Sequence, residues 1–186
     1  MADQNTSKNL RIPPQSLESE MAVLGALLQR PDSIYEITDT LVPGSFYSSR
    51  NRIIYEAILE LNKKGAPIDS VSVLDHLKDQ GLIERSGGAA YLAELMDFVP
   101  NTANIRHYCN TIQKKKIMRD LLDASDHIQG LGFDESKDLE EILDTAEKKI
   151  FEVTNMSTNT NIIPLRSVVG EAFERLERIH ANKDGM

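Results

Sequence analysis

The sequence has a single cysteine, no tryptophan and only 5% aromatic residues. One cysteine, Cys109, excludes an intramolecular disulfide and a cysteine-based zinc site, and fits a reducing cytosol. Its plain reading is a small hydrophobe inside a helix. The scarcity of aromatics leaves no platform on which bases could stack, as single-strand binders require. Apolar runs are short, and none approaches the roughly 18–20 residues that span a bilayer. The opening residues, "MADQNTSKNL", have no apolar segment of the signal-peptide kind. A cytoplasmic protein with no membrane contact is expected.

Basic residues are in deficit: 21 against 29 acids, for a net charge of −8. The surface as a whole therefore repels polyphosphate. No G-x-x-x-x-G-K-[ST] loop occurs, so the chain has no phosphate cradle and no cofactor is expected in it. Gly87-Gly88 reads as a turn and the start of a helix. The four histidines form no ligand cluster: His107 and Cys109 fall on different faces of one helix and His127 lies turns away. Glu140-Glu141 sit among lysines on what reads as a solvated face, not a catalytic dyad. No catalytic set and no metal ligands emerge. The one basic concentration, Lys114 to Lys116 with Arg106 and Arg119, reads as an exposed helix face. A helix-turn-helix repressor is disfavoured because the helices near 70–80 and 88–97 are not basic at their leading ends.

What the sequence does contain is well-punctuated helical periodicity, with 40% apolar content to build a core. After a polar tail (1–11), "IPPQSLESEMAVLGALLQ" starts a helix, with Ser16 as cap and a stripe at Leu17, Met21, Leu24 and Leu28. "RPDSIYEITDTL" predicts a second, with Asp32 or Ser33 as cap and Ile34, Ile37 and Leu41 inward. "SSRNRIIYEAILELNKKG" has serine caps, a stripe at Ile54, Ala57, Ile58 and Leu61, and Gly65 to close it. "PIDSVSVLDHLKDQG" gives another, capped by Asp69 or Ser70 and stopped by Gly81, though Val71 and Val73 also permit a short strand. A short helix on Tyr91, Leu92, Leu95 and Met96 completes an all-α bundle over 12–100.

From Asn104 one helix runs to Gly130, with Ile105, Tyr108, Ile112, Ile117, Leu121 and Ile128 along it. After "GLGFDES" a second carries Leu139, Ile142, Leu143, Ala146, Ile150 and Phe151 inward. The two fold back as a long hairpin (101–154) whose leftover apolar stripe should meet another surface. A polar tether (155–163), reaching at most roughly 30 Å, leads to a last amphipathic helix (164–186). Val169, Ala172, Phe173 and Leu176 share one of its faces, and acid-then-base pairs support the other. Such a short isolated helix is marginal in water and needs a docking partner.

Several phrases, in order, resemble one family: "IPPQSLESEMAVLGALL" at Ile12 to Leu28, "FYSSRNRIIYEAI" at Phe46 to Ile58, "GAPID" at Gly65 to Asp69, "GGAAYLAEL" at Gly87 to Leu95 and "ANIRHYCNTI" at Ala103 to Ile112. The chain resembles the amino-terminal part of the hexameric bacterial replicative DNA helicases of the DnaB type. That resemblance implies a helical head with a protruding hairpin and a linker helix, followed in the family by an ATPase motor. The motor, with its ATP and Mg, would lie past Met186 and touch DNA in the parent protein. The resemblance also implies dimers, grouped as a trimer of dimers in a hexameric collar, with primase docking on the collar and a helicase loader as a further partner. Matching those roles to the stripes selects Leu121, Leu122, Ile128, Leu139, Ile142 and Leu143 for hairpin association or primase contact. The plainer alternative for these is packing between the two hairpin helices. Val169, Phe173 and Leu176 are selected for docking the linker helix on a neighbouring motor. The rival reading, a stand-alone helical nucleic-acid-binding regulator, has the net charge against it.

Overall fold

Caps and left-handed glycines divide the chain where its sequence is punctuated. The computed structural model describes residues 12–98, 104–134 and 136–158, except the side chains of 156–158. Among the described residues there are seven α-helices and no strand: α1 (Leu17–Gln29), α2 (Ser49–Lys63), α3 (Ser70–Asp79), α4 (Ile83–Ser86), α5 (Gly88–Phe98), α6 (Ile105–Leu131) and α7 (Leu139–Thr158). The all-α expectation holds.

At the start of α2 the Ser48 hydroxyl accepts the Asn51 N–H at 3.4 Å. At its end Gly65 takes φ +64°. There the Ala66 N–H reaches the Leu61 carbonyl and the Gly65 N–H the Asn62 carbonyl, both at 3.0 Å. This paired closure needs a left-handed residue, which glycine supplies without strain. α3 repeats the pattern. The Asp69 carboxylate accepts the N–H groups of Val71 and Ser72 at 2.9 and 2.8 Å, and Gly81 closes the helix at φ +67°. The strand alternative for Val71 and Val73 therefore fails: Val73 is buried while Val71 stays in solvent.

Three expectations need correction. Residues Pro31–Glu36 form a 3-10 turn, not an α-helix. The Arg30 side chain holds the Ser33 hydroxyl at 2.6 Å, and the β-branched residues Ile37, Thr38 and Thr40 disfavour continuation as an α-helix. The expected inward set is nevertheless right, since Ile34, Ile37 and Leu41 are all buried. Ser16 occupies the N-cap position of α1 without capping it by side chain; its hydroxyl goes to the Ser19 hydroxyl at 2.9 Å. α7 runs on to Thr158, into the stretch read as tether.

The core of the head is built around α1. Ala22, Val23, Leu24, Ala26, Leu27 and Leu28 are all buried, so the helix is apolar nearly all round and lies at the centre of the bundle. It packs on α5 and α6, while α2 packs on α3 and α4. Phe46 and Tyr55 meet with ring centroids 4.8 Å apart, and the Tyr55 hydroxyl donates to the Leu41 carbonyl at 3.1 Å. The first turns of α6 join this core through Ile105, Cys109 and Ile112. Cys109 is buried and its thiol pKa is pushed up to about 12, mainly by burial. It behaves as the small hydrophobe expected. Among the described residues the substantial packing of α7 is against α6.

Candidate functional site

Helix geometry decides which hairpin residues can face outward. On α7 the set Ile142, Ala146 and Val153 shares one face, and Val153 is buried; because α7 packs on α6, that face is the one turned to its partner. Leu139, Leu143 and Ile150 lie on the adjoining face at 66%, 59% and 40% exposure. On α6, Ala124 and Leu131 are buried, whereas Leu121 and Leu122 are about half exposed. These two neighbours point about 100° apart, so a flat partner touching one touches the other only edge-on.

An open groove of about 540 Å³ lies on the hairpin, lined by Ile128 of α6 and by Leu143, Ala146, Glu147, Ile150, Phe151 and Thr154 of α7. Of the residues chosen from sequence, it brings Ile128 and Leu143 together. Leu121, Leu122 and Leu139 are exposed apolar residues outside its lining, and Ile142 is half-buried on the face turned to α6. The sequence gives no sign of Phe133, at 79% exposure in the hairpin turn, and of the residues expected inward on α7, Leu139, Leu143, Ile150 and Phe151 are exposed. The signal for Phe151 was available. It sits one residue past Ile150, too far round the helix to share the buried face. Val169, Phe173 and Leu176 lie outside the described residues.

The basic run forms only part of the exposed face expected of it: Arg106 and Lys114 are exposed, whereas Lys116 and Arg119 turn to other partners. Lys116 is buried and pairs with Asp120. Arg119 donates to the carbonyls of Pro14 and Ser45, and Arg106 pairs with Glu36 at 3.3 Å. Lys116 shares the buried side of α6 with Ile105, Cys109 and Ile112, because the spacing returns it there. Lys114 remains in solvent.

A buried polar network in the head was not foreseen. The Glu20 carboxylate, 1% exposed, accepts the Tyr47 N–H at 2.7 Å, the Ser48 N–H at 3.3 Å and the Asn51 side-chain amide at 2.9 Å. Asn51 in turn accepts the Tyr91 hydroxyl at 2.7 Å, and the Arg50 guanidinium lies over the Tyr91 ring at 4.5 Å. Burial raises the Tyr91 pKa. The network places an acid at the amino terminus of α2 and joins α1, α2 and α5. Each member has a partner, so it specifies packing and leaves no free acid for catalysis.

Among the described residues no group of His, Cys, Asp and Glu is placed to hold a metal, and no helix is long and apolar enough to cross a membrane. Gly87 and Gly88 close α4 and start α5, as expected.

Comparison with known proteins agrees with this geometry. The family model of the DnaB-like helicase N terminal domain matches residues 12–114. The replicative DNA helicase DnaC of Bacillus subtilis (strain 168) is 33% identical over 175 residues, covering 94% of this chain and 38% of that protein. The chain thus spans well under half the length of that relative. Among solved structures, the N-terminal domain of DnaB helicase from Mycobacterium tuberculosis superposes with a TM-score of 0.73 at 36% identity, covering 76% of this chain and 99% of that one. The N-terminal domain of DnaB helicase from Helicobacter pylori, described with its interactions with primase, superposes at 0.53 with 25% identity, covering 62% of this chain and 89% of that one.

Proposed function

Since the chain belongs to the family of DnaB-like helicase N-terminal domains, we propose that it serves as the oligomerisation collar and primase-docking module of a replicative DNA helicase. In this reading heads and hairpins pair between subunits, three dimers make a hexameric ring, and primase binds that ring. Unwinding and ATP hydrolysis belong to a motor domain of the parent protein, whose contact with DNA this chain shares only through it. Val169, Phe173 and Leu176 dock the linker helix on a neighbouring motor.

The observation behind this reading is the exposed apolar strip of the hairpin, Leu139, Leu143, Ile150 and Phe151 on a helix whose substantial packing among the described residues is on α6. Contiguous apolar surface on a soluble domain marks an interaction site, and a second hairpin of the same kind offers a matching surface under two-fold symmetry. The interaction with primase described for the Helicobacter pylori domain supports the second half of the proposal.

Sedimentation equilibrium of the wild-type chain and of Leu143→Asp tests the first half. The wild type is expected to associate, and the variant to sediment as a folded monomer. A wild type that stays monomeric at the highest concentration removes self-association from the account. Calorimetric titration with primase tests the second half, and absence of heat and of complex on a sizing column would remove it.

A further inference from the structure

α6 leaves the head partway along its length, and one side chain marks the place. Its early turns are held by burial of Ile105, Cys109 and Ile112 in the head core. Past them, Gln113 Oε1 lies 3.5 Å from the Ser45 hydroxyl. Next comes Arg119. Its guanidinium donates from one terminal nitrogen to the Pro14 carbonyl at 2.8 Å and from the other to the Ser45 carbonyl at 2.7 Å. The two carbonyls belong to separate head segments, the lead-in to α1 and the 3-10 turn Pro43–Ser45 ahead of α2. The Tyr47 ring lies 5.8 Å from the same guanidinium. Along α6, Arg119 is the last residue whose side chain reaches the head by a hydrogen bond among the described residues. Leu121 and Leu122 just beyond it are half exposed.

From this geometry we infer that Arg119 is a clamp that sets the angle of the hairpin to the head. Ile105 to Lys116, buried along one side, hold α6 over a baseline of about 16 Å, and Arg119 extends that baseline to about 21 Å, which cuts the angular play of a stiff helix by about a fifth. The hairpin turn lies about 18 Å further on, so a tilt of about 10° at the clamp moves it by about 3 Å. α7 has no substantial packing on the head and follows α6. A planar fork is suited to gripping two acceptors at once, and a lysine ammonium cannot reproduce its geometry. Arg119 is thus a positioning residue: it holds the hairpin's outer surface at a fixed place relative to the head.

The test is an intramolecular distance distribution by pulsed electron spin resonance. Nitroxides are attached at Lys78→Cys on α3 and Gln129→Cys on α6, in a Cys109→Ala background, and the protein is diluted with unlabelled chain so that contacts between copies do not contribute. With Arg119 present a single narrow distance is expected. Arg119→Ala should broaden it by about a quarter, following the shortened baseline, with helical content by circular dichroism unchanged; Arg119→Lys should restore it only in part. An Arg119→Ala distribution as narrow and centred as the parent's overturns the inference, as does full restoration by lysine. If Arg119→Ala fails to fold, Arg119→Lys decides by itself, a broadened distribution supporting the clamp and an unchanged one refuting it. Both labels sit on one chain, so the distance read is intramolecular whether or not hairpins pair.

Discussion

The head and the hairpin are made of the same kind of helix, yet they treat apolar surface in opposite ways. In the head, Phe46 is 0% exposed against Tyr55; in the hairpin, Phe151 is 60% exposed. The head joins the buried polar groups of Glu20, Asn51 and Tyr91 to one another, whereas the hairpin's ion pair Lys149–Glu152 lies in solvent. Two helices have too few faces to enclose what they carry, while a bundle around a central helix does. The head is a finished fold. The hairpin leaves apolar side chains in solvent.

Paired substitutions sharpen that contrast. The largest difference is expected for phenylalanine: Phe46→Ala should cost about 4 kcal/mol in urea unfolding, and Phe151→Ala about 0.5 kcal/mol or less in dilute protein. Equal costs would mean the hairpin is already covered within one chain. The polar pair comes next. Glu20→Ala strands the N–H groups of Tyr47 and Ser48 and the amide of Asn51, and should cost about 3 kcal/mol. Glu152→Ala should change stability by about 0.5 kcal/mol at most, since its pair is exposed.

The smallest effect within the head is at the α3 cap. Asp69→Ala should cost about 1 kcal/mol at neutral pH. Its carboxyl pKa is held below the ordinary value, chiefly by the backbone N–H of Ser72. A lowered folded-state pKa means that the stabilisation is present above the unfolded-state value and is lost as pH falls through the folded-state one. The wild type and Asp69→Ala should therefore converge in acid, and a gap independent of pH would show that the charge does not matter.

How much of this was legible in the sequence depended on how local the cause was. α2 and α3 could be bounded from Ser48, Asp69, Gly65 and Gly81 because a cap and its helix are neighbours in the chain. The inward residues of 31–41 were legible by spacing, but not the 3-10 geometry, because Ile34 and Ile37 suit either turn. Glu20 was out of reach: its partners Tyr47, Ser48 and Asn51 come from another helix and the loop before it, and nothing at position 20 announces them. Lys116 was misread because a run of lysines suggests solvent, while the helical repeat carries the third of them back to the head. Of the outward-facing residues, Leu121, Leu122, Leu139 and Leu143 followed from there being more stripe than partner. Phe133 was missed because a turn has no periodicity to betray it.

The account stands on the claim that the head is complete in itself and the hairpin is completed by association. Amide hydrogen exchange followed across a range of protein concentrations tests this directly. Amides of α1 and α2 should be protected to the same degree at every concentration, and those of α7 should gain protection as concentration rises. Protection of α7 that is already maximal at the lowest concentration and does not change would contradict it.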